Sequence, residues 1–345
     1  MGSDSLEGSW RPRVDDRLVN EVLMSALTLP TLLVAHELKL FPLLAERPRT
    51  LEELRQELNI ERRPLRAVLR LCASRGLVSI QDGRYALTPE AEEYLLESSP
   101  ASYSDYLNLL KATSPLLTFE SVKAAVLSNA PQAYGGGTDI FKTHEEQAEQ
   151  ARSFTRMMHG HSVGPASAWP DHLDLSGHHH MLDIGGGSGA HSIGAARRWP
   201  HLRATVLDLP TVCDVAREYL TQAGLRERVG TLAADMWQDS LPKADLHFYS
   251  EIFHDWPPEK CLLLARRSFE SLEPGGRIVV HEMLYDEEKQ LPYPAAAYTV
   301  GMLLWTEGQQ FTGPELSALL TQAGFVDIEL KPTFGYWSIA TGRKP

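Results

Sequence analysis

The sequence predicts an α/β protein, with a mostly helical, winged-helix-like N-terminal domain ahead of a parallel-sheet domain. Three observations carry this. From Met181 onward, short apolar runs alternate with helical stretches, the pattern of parallel strands joined by crossover helices. Between Thr50 and Leu87, two amphipathic helices are followed by a hairpin. The run Met181-Leu182-Asp183-Ile184-Gly185-Gly186-Gly187-Ser188-Gly189-Ala190 leaves a strand, turns on glycines and enters a helix. A chain of 345 residues favours two domains, and 43% hydrophobic with 23% charged residues excludes wholesale disorder.

In chain order, residues 1–16 are polar and lack an apolar period, so a loose tail is expected. Val19–Leu44 has helical spacing through Val22, Leu23, Ala26, Leu29, Leu32 and Leu33, and Pro30 should kink or split it. Thr50 with Glu53 forms a capping box for a helix whose buried face is Leu51, Leu54 and Leu58. A second helix, Arg63–Ser74, buries Leu65, Val68, Leu69 and Cys72 and stops at Gly76. Leu77–Ile80 and Arg84–Leu87 flank the turn Gln81-Asp82-Gly83. This domain is placed at 17–105. A helical segment, 106–170, follows, with Gly135-Gly136-Gly137 as a linker and Pro165 and Pro170 at its close. The sheet domain, 171–345, has strands at Met181–Ile184, Ala204–Leu207, Val229–Ala233, Leu246–Tyr249 and Arg277–His281. A final strand pair, Ile328–Pro332 and Tyr336–Thr341, turns at Thr333-Phe334-Gly335.

Composition narrows the function. A formal charge of −12 disfavours nucleic acid as a partner, because neutralising phosphates needs a positive surface. The arginines of the second helix (Arg62, Arg63, Arg66 and Arg70) allow a DNA-recognition helix, but a solvated face is the favoured reading. No apolar run approaches the ~18 residues of a membrane span, and no signal peptide or myristoylation pattern is seen. Cys72, Cys213 and Cys261 are scattered and lack metal spacing. His178-His179-His180 also lacks a spaced partner, so no metal site is expected. The expectation is a soluble cytoplasmic protein.

The glycine loop alone fits a dinucleotide, S-adenosylmethionine or a purely structural turn. Its neighbours discriminate. Asp208 ends the second strand, where a carboxylate can accept ribose hydroxyls. Asp235 ends the third, followed by Met236 and Trp237 as edge and face for an adenine. Asp183 precedes the glycines. An acid beside the loop is poorly placed for a pyrophosphate but suits an amine and a sulfonium, which favours S-adenosylmethionine.

These motifs, with Asp208-Leu209-Pro210, Ala234-Asp235-Met236 and His254-Asp255-Trp256, resemble the plant caffeic-acid and animal acetylserotonin type of O-methyltransferase. Bacterial natural-product methyltransferases share the pattern, and the similarity runs from about Val19 to the C-terminus. The resemblance implies a Rossmann-like catalytic domain, a winged-helix-like dimerisation domain, a homodimer and a small-molecule acceptor. It also places Asp183, Gly185, Gly187, Asp208, Leu209, Asp235, Met236, Ser250 and Ser162 against the cofactor. His254 is implied as general base with Glu282 as its orienting partner. Met158 would touch the acceptor, from a run Phe154-x-x-x-Met158-x-x-x-Ser162 that could equally be core. Tyr298, Met302, Trp305 and Phe311 are either an acceptor pocket or helix core. Asp255 should cap the helix beginning near Pro257. His281 should point away from Glu282, on the other face of its strand.

The sequence departs from the family at two places. The second glutamate of a Gly-x-Glu-Arg-Thr segment is Gln310 here, assigned to the acceptor side, and Glu307 is the nearby candidate for the missing catalytic role. The lysine or arginine that often precedes the His-Asp-Trp motif is absent, with Ser250 and Glu251 in that neighbourhood. Methyl transfer to a phenol or other acidic hydroxyl is the leading reading. Two readings stay beside it: C-methylation of an activated carbon, such as that of an α-keto acid, with or without a metal, and a cofactor-binding regulator.

Overall fold

The computed structural model describes residues 11–133, 148–286 and 292–345; the Gly135–Gly137 linker and residues 1–10 of the expected tail lie outside them. The chain separates after Ser99 into two compact units, and the helices from Ser104 to Ala168 fall in the second.

The first unit begins with helices Arg17–Ser25, Thr28–Glu37 and Leu40–Glu46. The break falls at Ala26-Leu27 and not at Pro30, which sits in the first turn of the second helix, where no N–H is needed. Strand β1 (Arg49–Thr50) leads into helix Leu51–Leu58, and the Thr50–Glu53 capping box forms in both directions. Helix Arg62–Ser74 buries Leu65, Leu69 and Cys72 and leaves Arg62, Arg63, Arg66 and Arg70 exposed. β2 (Val78–Gln81) and β3 (Arg84–Leu87) join through Asp82 and Gly83, both at positive φ, as a two-residue turn requires. β1 completes an antiparallel sheet of order β1-β3-β2.

One expectation from the sequence is corrected here. Taken together, Arg17–Glu37 is long and apolar enough to cross a membrane, 21 residues at hydropathy 1.7, with 11% of its most apolar window buried. Leu18, Val19, Val22, Leu23 and Met24 are exposed on it.

The second unit is built on a seven-stranded sheet: β4 (His180–Ile184), β5 (Arg203–Asp208), β6 (Val229–Ala233), β7 (Leu246–Ser250), β8 (Arg277–Met283), β9 (Val326–Phe334) and β10 (Trp337–Arg343). The order is β6-β5-β4-β7-β8-β10-β9, parallel from β6 to β8, with β10 antiparallel to both β8 and β9. Because the chain leaves β4 toward β5 and returns on its other side at β7, the carboxyl ends of β4 and β7 flank a crevice where open α/β sheets bind ligands. Both faces are covered, which explains the near-continuous apolar runs. Alternate residues sort accordingly. Met181, Phe248 and Val279 pack with Trp169 and Ile193 on one face, while Leu182, Tyr249 and Val280 pack with Leu264 and Leu316 on the other.

Helix Ala148–Ala168 packs on helices Ala190–Arg198 and Pro210–Gln222 and runs through Pro165, where the sequence suggested an end. Its close approach to helix Ala190–Arg198 depends on Gly194, whose Cβ would fall 2.0 Å from the carbonyl oxygen of Ala166. Gly194→Ala should therefore lose about 1–3 kcal/mol in thermal unfolding, against the gain of up to about 1 kcal/mol that helix propensity offers. Gly301→Ala, which meets only an ordinary 3.6 Å contact, should lose nothing and serves as the control.

Candidate active site

Beyond β4 the chain turns through Gly185, Gly187 and Gly189, at φ 67°, 55° and 77°. A Cβ on Gly185 would lie 2.3 Å from Ile252 Cδ1, so the backbone hugs the end of β7 as only glycine permits. Asp208 at the end of β5 fastens this loop: Gly187 N–H donates to Oδ2 and Leu209 N–H to Oδ1, both at 2.8 Å. Asp183 is buried beside it and accepts from Ser192 Oγ at 2.7 Å. Burial pushes Asp183 up to about 7 and Asp208 up to about 6. A buried carboxyl held in this way favours a cation or hydroxyl groups as its ligand. Asp235 Oδ1 accepts from Trp237 N–H at 2.7 Å, which orders the turn carrying Met236. Asp183, Gly185, Gly187, Asp208, Leu209, Asp235 and Met236 all line one cavity of about 530 Å³, within the roughly 300–1,000 Å³ typical of small-molecule sites.

His254 reaches the same cavity from a short 3-10 turn, Phe253–Asp255, just after β7. Its Nδ1 lies 2.9 Å from Gln310 Nε2 and 3.3 Å from Glu282 Oε2. Rotating the Gln310 amide presents Oε1, which has no other partner, to an Nδ1–H. In that orientation Nδ1 carries the ring proton and Nε2 keeps the lone pair that can take a proton from an acceptor. Glu282 Oε1 accepts from the N–H groups of Ile252 and Phe253, at 3.2 and 3.0 Å, so β8 holds both the turn and the imidazole. Gly308 presses on that turn: a Cβ there would sit 2.0 Å from the His254 carbonyl oxygen. Burial pushes His254 down to about 4, with Glu251 opposing it, and pushes Glu282 well above the carboxylate range, with Glu251 and Asp255 adding to it.

Several sequence expectations change in three dimensions. Gln310 is buried against His254 and does not line the cavity, so its contact is with that imidazole and not with the cavity's contents. Glu307 turns outward to Lys260 Nζ at 2.7 Å, drawn to a cation at the surface and away from the cavity. Asp255 does not cap helix Pro258–Ser271, whose N-cap is Pro257; it stands in the cavity wall 3.6 Å from His254 Nε2. Phe311 is buried in the core, whereas Met158, Tyr298, Met302 and Trp305 line the cavity. Ser162 and Ser250 line it too, with Ser162 Oγ donating to the Met158 carbonyl at 2.9 Å and Ser250 Oγ sitting 3.1 Å from His281 Nδ1. His281 faces away from Glu282, as the strand period requires, and stacks on Trp337. Among the described residues, no group of three His, Cys, Asp or Glu is arranged to hold a metal ion.

Two further side chains bear on the cavity, His159 from behind the glycine loop and Glu251 in the lining itself. His159 stacks on Tyr219 at 3.7 Å and meets Ser188 Oγ at 2.7 Å, bracing the glycine loop. Glu251 stands beside His161 and Tyr298, and only its positive φ of 56° aims it there.

Comparison with known proteins agrees with this arrangement. The model of the O-methyltransferase domain matches residues 119–326, and that of the O-methyltransferase dimerisation domain matches 21–97. The chain is 33% identical over 300 residues to the 3-hydroxy-5-methyl-1-naphthoate 3-O-methyltransferase of Streptomyces sahachiroi, covering 86% of each. It is 30% identical over 344 residues to acetylserotonin O-methyltransferase of Homo sapiens, covering 95% of this chain and 97% of that one. The crystal structure of the human acetylserotonin enzyme in complex with S-adenosylmethionine superposes with a TM-score of 0.82 at 28% identity, over 100% of this chain and 99% of that one. With its cleft at the β4–β7 switch point, its acid-flanked glycine loop and its braced histidine, the chain belongs to the O-methyltransferase family.

Proposed function

We propose that the protein transfers the methyl group of S-adenosylmethionine to the hydroxyl of a small aromatic molecule, with His254 as general base. The observation that carries this reading is the placement of His254, braced through Nδ1, in the same cavity as the loop tied by Asp208. The residues fit the cofactor. Asp183 and the glycine backbone suit its amine and sulfonium, Asp208 its ribose, and Asp235 with Met236 its adenine. When bound, the cofactor supplies an electrophilic methyl group already joined to its leaving group. The protein's share is alignment and one proton. The acceptor hydroxyl would give its proton to His254 Nε2, leaving its oxygen as the nucleophile, while the cavity walls hold it in place for the transfer. Glu282 and Gln310 at Nδ1 steady the ring. The named acceptors of the two relatives, acetylserotonin and a hydroxynaphthoate, are aromatic, which supports an aromatic acceptor here.

We infer that the protein works as a homodimer joined through the first unit. The match to a dimerisation domain and the exposed Leu18–Met24 apolar face support this, and the helix–helix–hairpin outline is read as a scaffold for pairing. Cys72, Cys213 and Cys261 are free and buried, which suits a reducing cytoplasmic setting.

Four outcomes are expected. With a deuterated-methyl cofactor and a panel of phenols and α-keto acids, label should appear on oxygen. His254→Ala should cut kcat/KM by about 10²–10⁴-fold and leave cofactor affinity, read by calorimetry, essentially unchanged; retained turnover or label on carbon would sink the mechanism. Asp183 and Asp208 are raised above the ordinary 3.8, so the stability they contribute to the cofactor-free protein is full below pH ~4 and is lost as pH rises through about 6 to 7. A cationic ligand reverses this preference. Cofactor affinity should therefore weaken by up to about tenfold per pH unit below 7, and a pH-independent Kd between 5.5 and 8 would contradict it. In light scattering the 38.4 kDa chain should run as a dimer, and Val22→Asp with Leu23→Asp should yield monomer.

A further inference from the structure

The cavity is one-sided in charge. Asp183, Asp208, Asp235, Glu251 and Asp255 line it, and among the described residues no lysine or arginine does. Four of these acids have places at strand ends or in the turn carrying His254. Glu251 stands apart. It follows β7 directly, in a left-handed backbone conformation that a non-glycine residue adopts only where its surroundings compel it. That conformation sets its carboxylate in the wall from which His254 also projects. Oε1 accepts from Tyr298 Oη at 3.1 Å and lies 3.2 Å from His161 Nδ1, while Oε2 makes no hydrogen bond among the described residues. The tyrosine links this carboxylate to the base, because its ring meets His254 edge-on at 5.2 Å. His161 is held on its other side by Tyr106, stacked at 5.0 Å. Burial works to raise Glu251, but His161 beside it, by charge and by hydrogen bond, brings it down to about 2, so it is ionised at neutral pH.

A buried, ionised carboxylate with a free oxygen in a binding cavity selects by charge. It rewards a hydrogen-bond donor, most of all a cationic one, and penalises a second carboxylate, which it would meet without water between them. We propose that Glu251 is the specificity-determining residue of the acceptor pocket, and that the acceptor is an aromatic hydroxyl compound carrying an N–H or ammonium donor and no carboxylate. This rests on the reading of the cavity as an acceptor site for O-methylation, and deepens it to a substrate class.

The test is a fluorescence titration of the full-length protein saturated with S-adenosylhomocysteine, so that no turnover intervenes. Three matched probes are used: 6-(aminomethyl)-2-naphthol, 6-methyl-2-naphthol and 6-hydroxy-2-naphthoic acid. The amine should bind about tenfold or more tighter than the acid, with the methyl compound between them. Glu251→Gln should bring the three within about threefold of one another, and Glu251→Asp should restore the order. Equal binding of amine and acid by the native protein would overturn the proposal, whether or not the variants fold. So would a Glu251→Gln protein that keeps the native order while losing turnover on every acceptor alike, since that pattern marks a residue acting only on His254. Label on carbon in the separate methyl-transfer assay, with the binding order intact, would instead remove the O-methylation reading and leave the selection by Glu251 standing.

Discussion

One carboxylate organises the cleft. Asp208 takes an N–H from each side of the gap between β4 and β5 and, with the Leu207 carbonyl that accepts from Gly185 N–H at 2.8 Å, fixes the Gly185–Gly187 backbone against Ile252. The geometry of the site follows from it. The loop can lie flat over the strand ends only because its residues lack Cβ atoms and reach positive φ, and it stays there because Asp208 satisfies the N–H groups that a ligand would otherwise have to find. The topology makes this economical, since the crevice at the β4–β7 switch point opens where the clamp is placed.

The electrostatics of the cavity are set by burial more than by pairing. The same desolvation raises Asp183 and Asp208, lowers His254 and lifts Glu282, so the cleft limits its charge until a ligand supplies some. His254 is thus neutral across the physiological range, and Asp183 and Asp208 are the cavity groups whose protonation changes near neutrality. Gln310 fits this balance. An amide against Nδ1 orients the imidazole without placing another buried carboxyl beside Glu282, Glu251 and Asp255.

Much of this was legible in the sequence where local order decides the outcome. Strand ends and glycine turns located Asp183, Gly187, Asp208, Asp235 and His254, because period-2 runs and a glycine cluster leave few alternatives. Glu282 was reachable through the alternation of β8, which sends it and His281 to opposite faces. Contacts across sequence distance were not legible. Gln310 meets His254 from 56 residues away, and Glu307 is drawn outward by a lysine 47 residues before it. Glu251 was hidden for a backbone reason, since regular alternation gives no warning of a left-handed residue after β7. Pro30 misled because proline breaks a helix ahead of itself and then sits comfortably in the next one.

The close packing of Gly308 on the His254 turn has a consequence for how such a protein can change over evolutionary time. The base is gripped by its ring through Glu282 and Gln310, and by its peptide through a residue with no room for a side chain. That wall of the cleft is a frozen module, in which a replacement at any of the four positions disturbs the other three. Phe154, Met158, Met302 and Trp305 line the cavity as apolar or aromatic side chains. They can drift in size and shape while the chemistry stays put, so new acceptors can be acquired by descendants of the same chain with its reaction conserved.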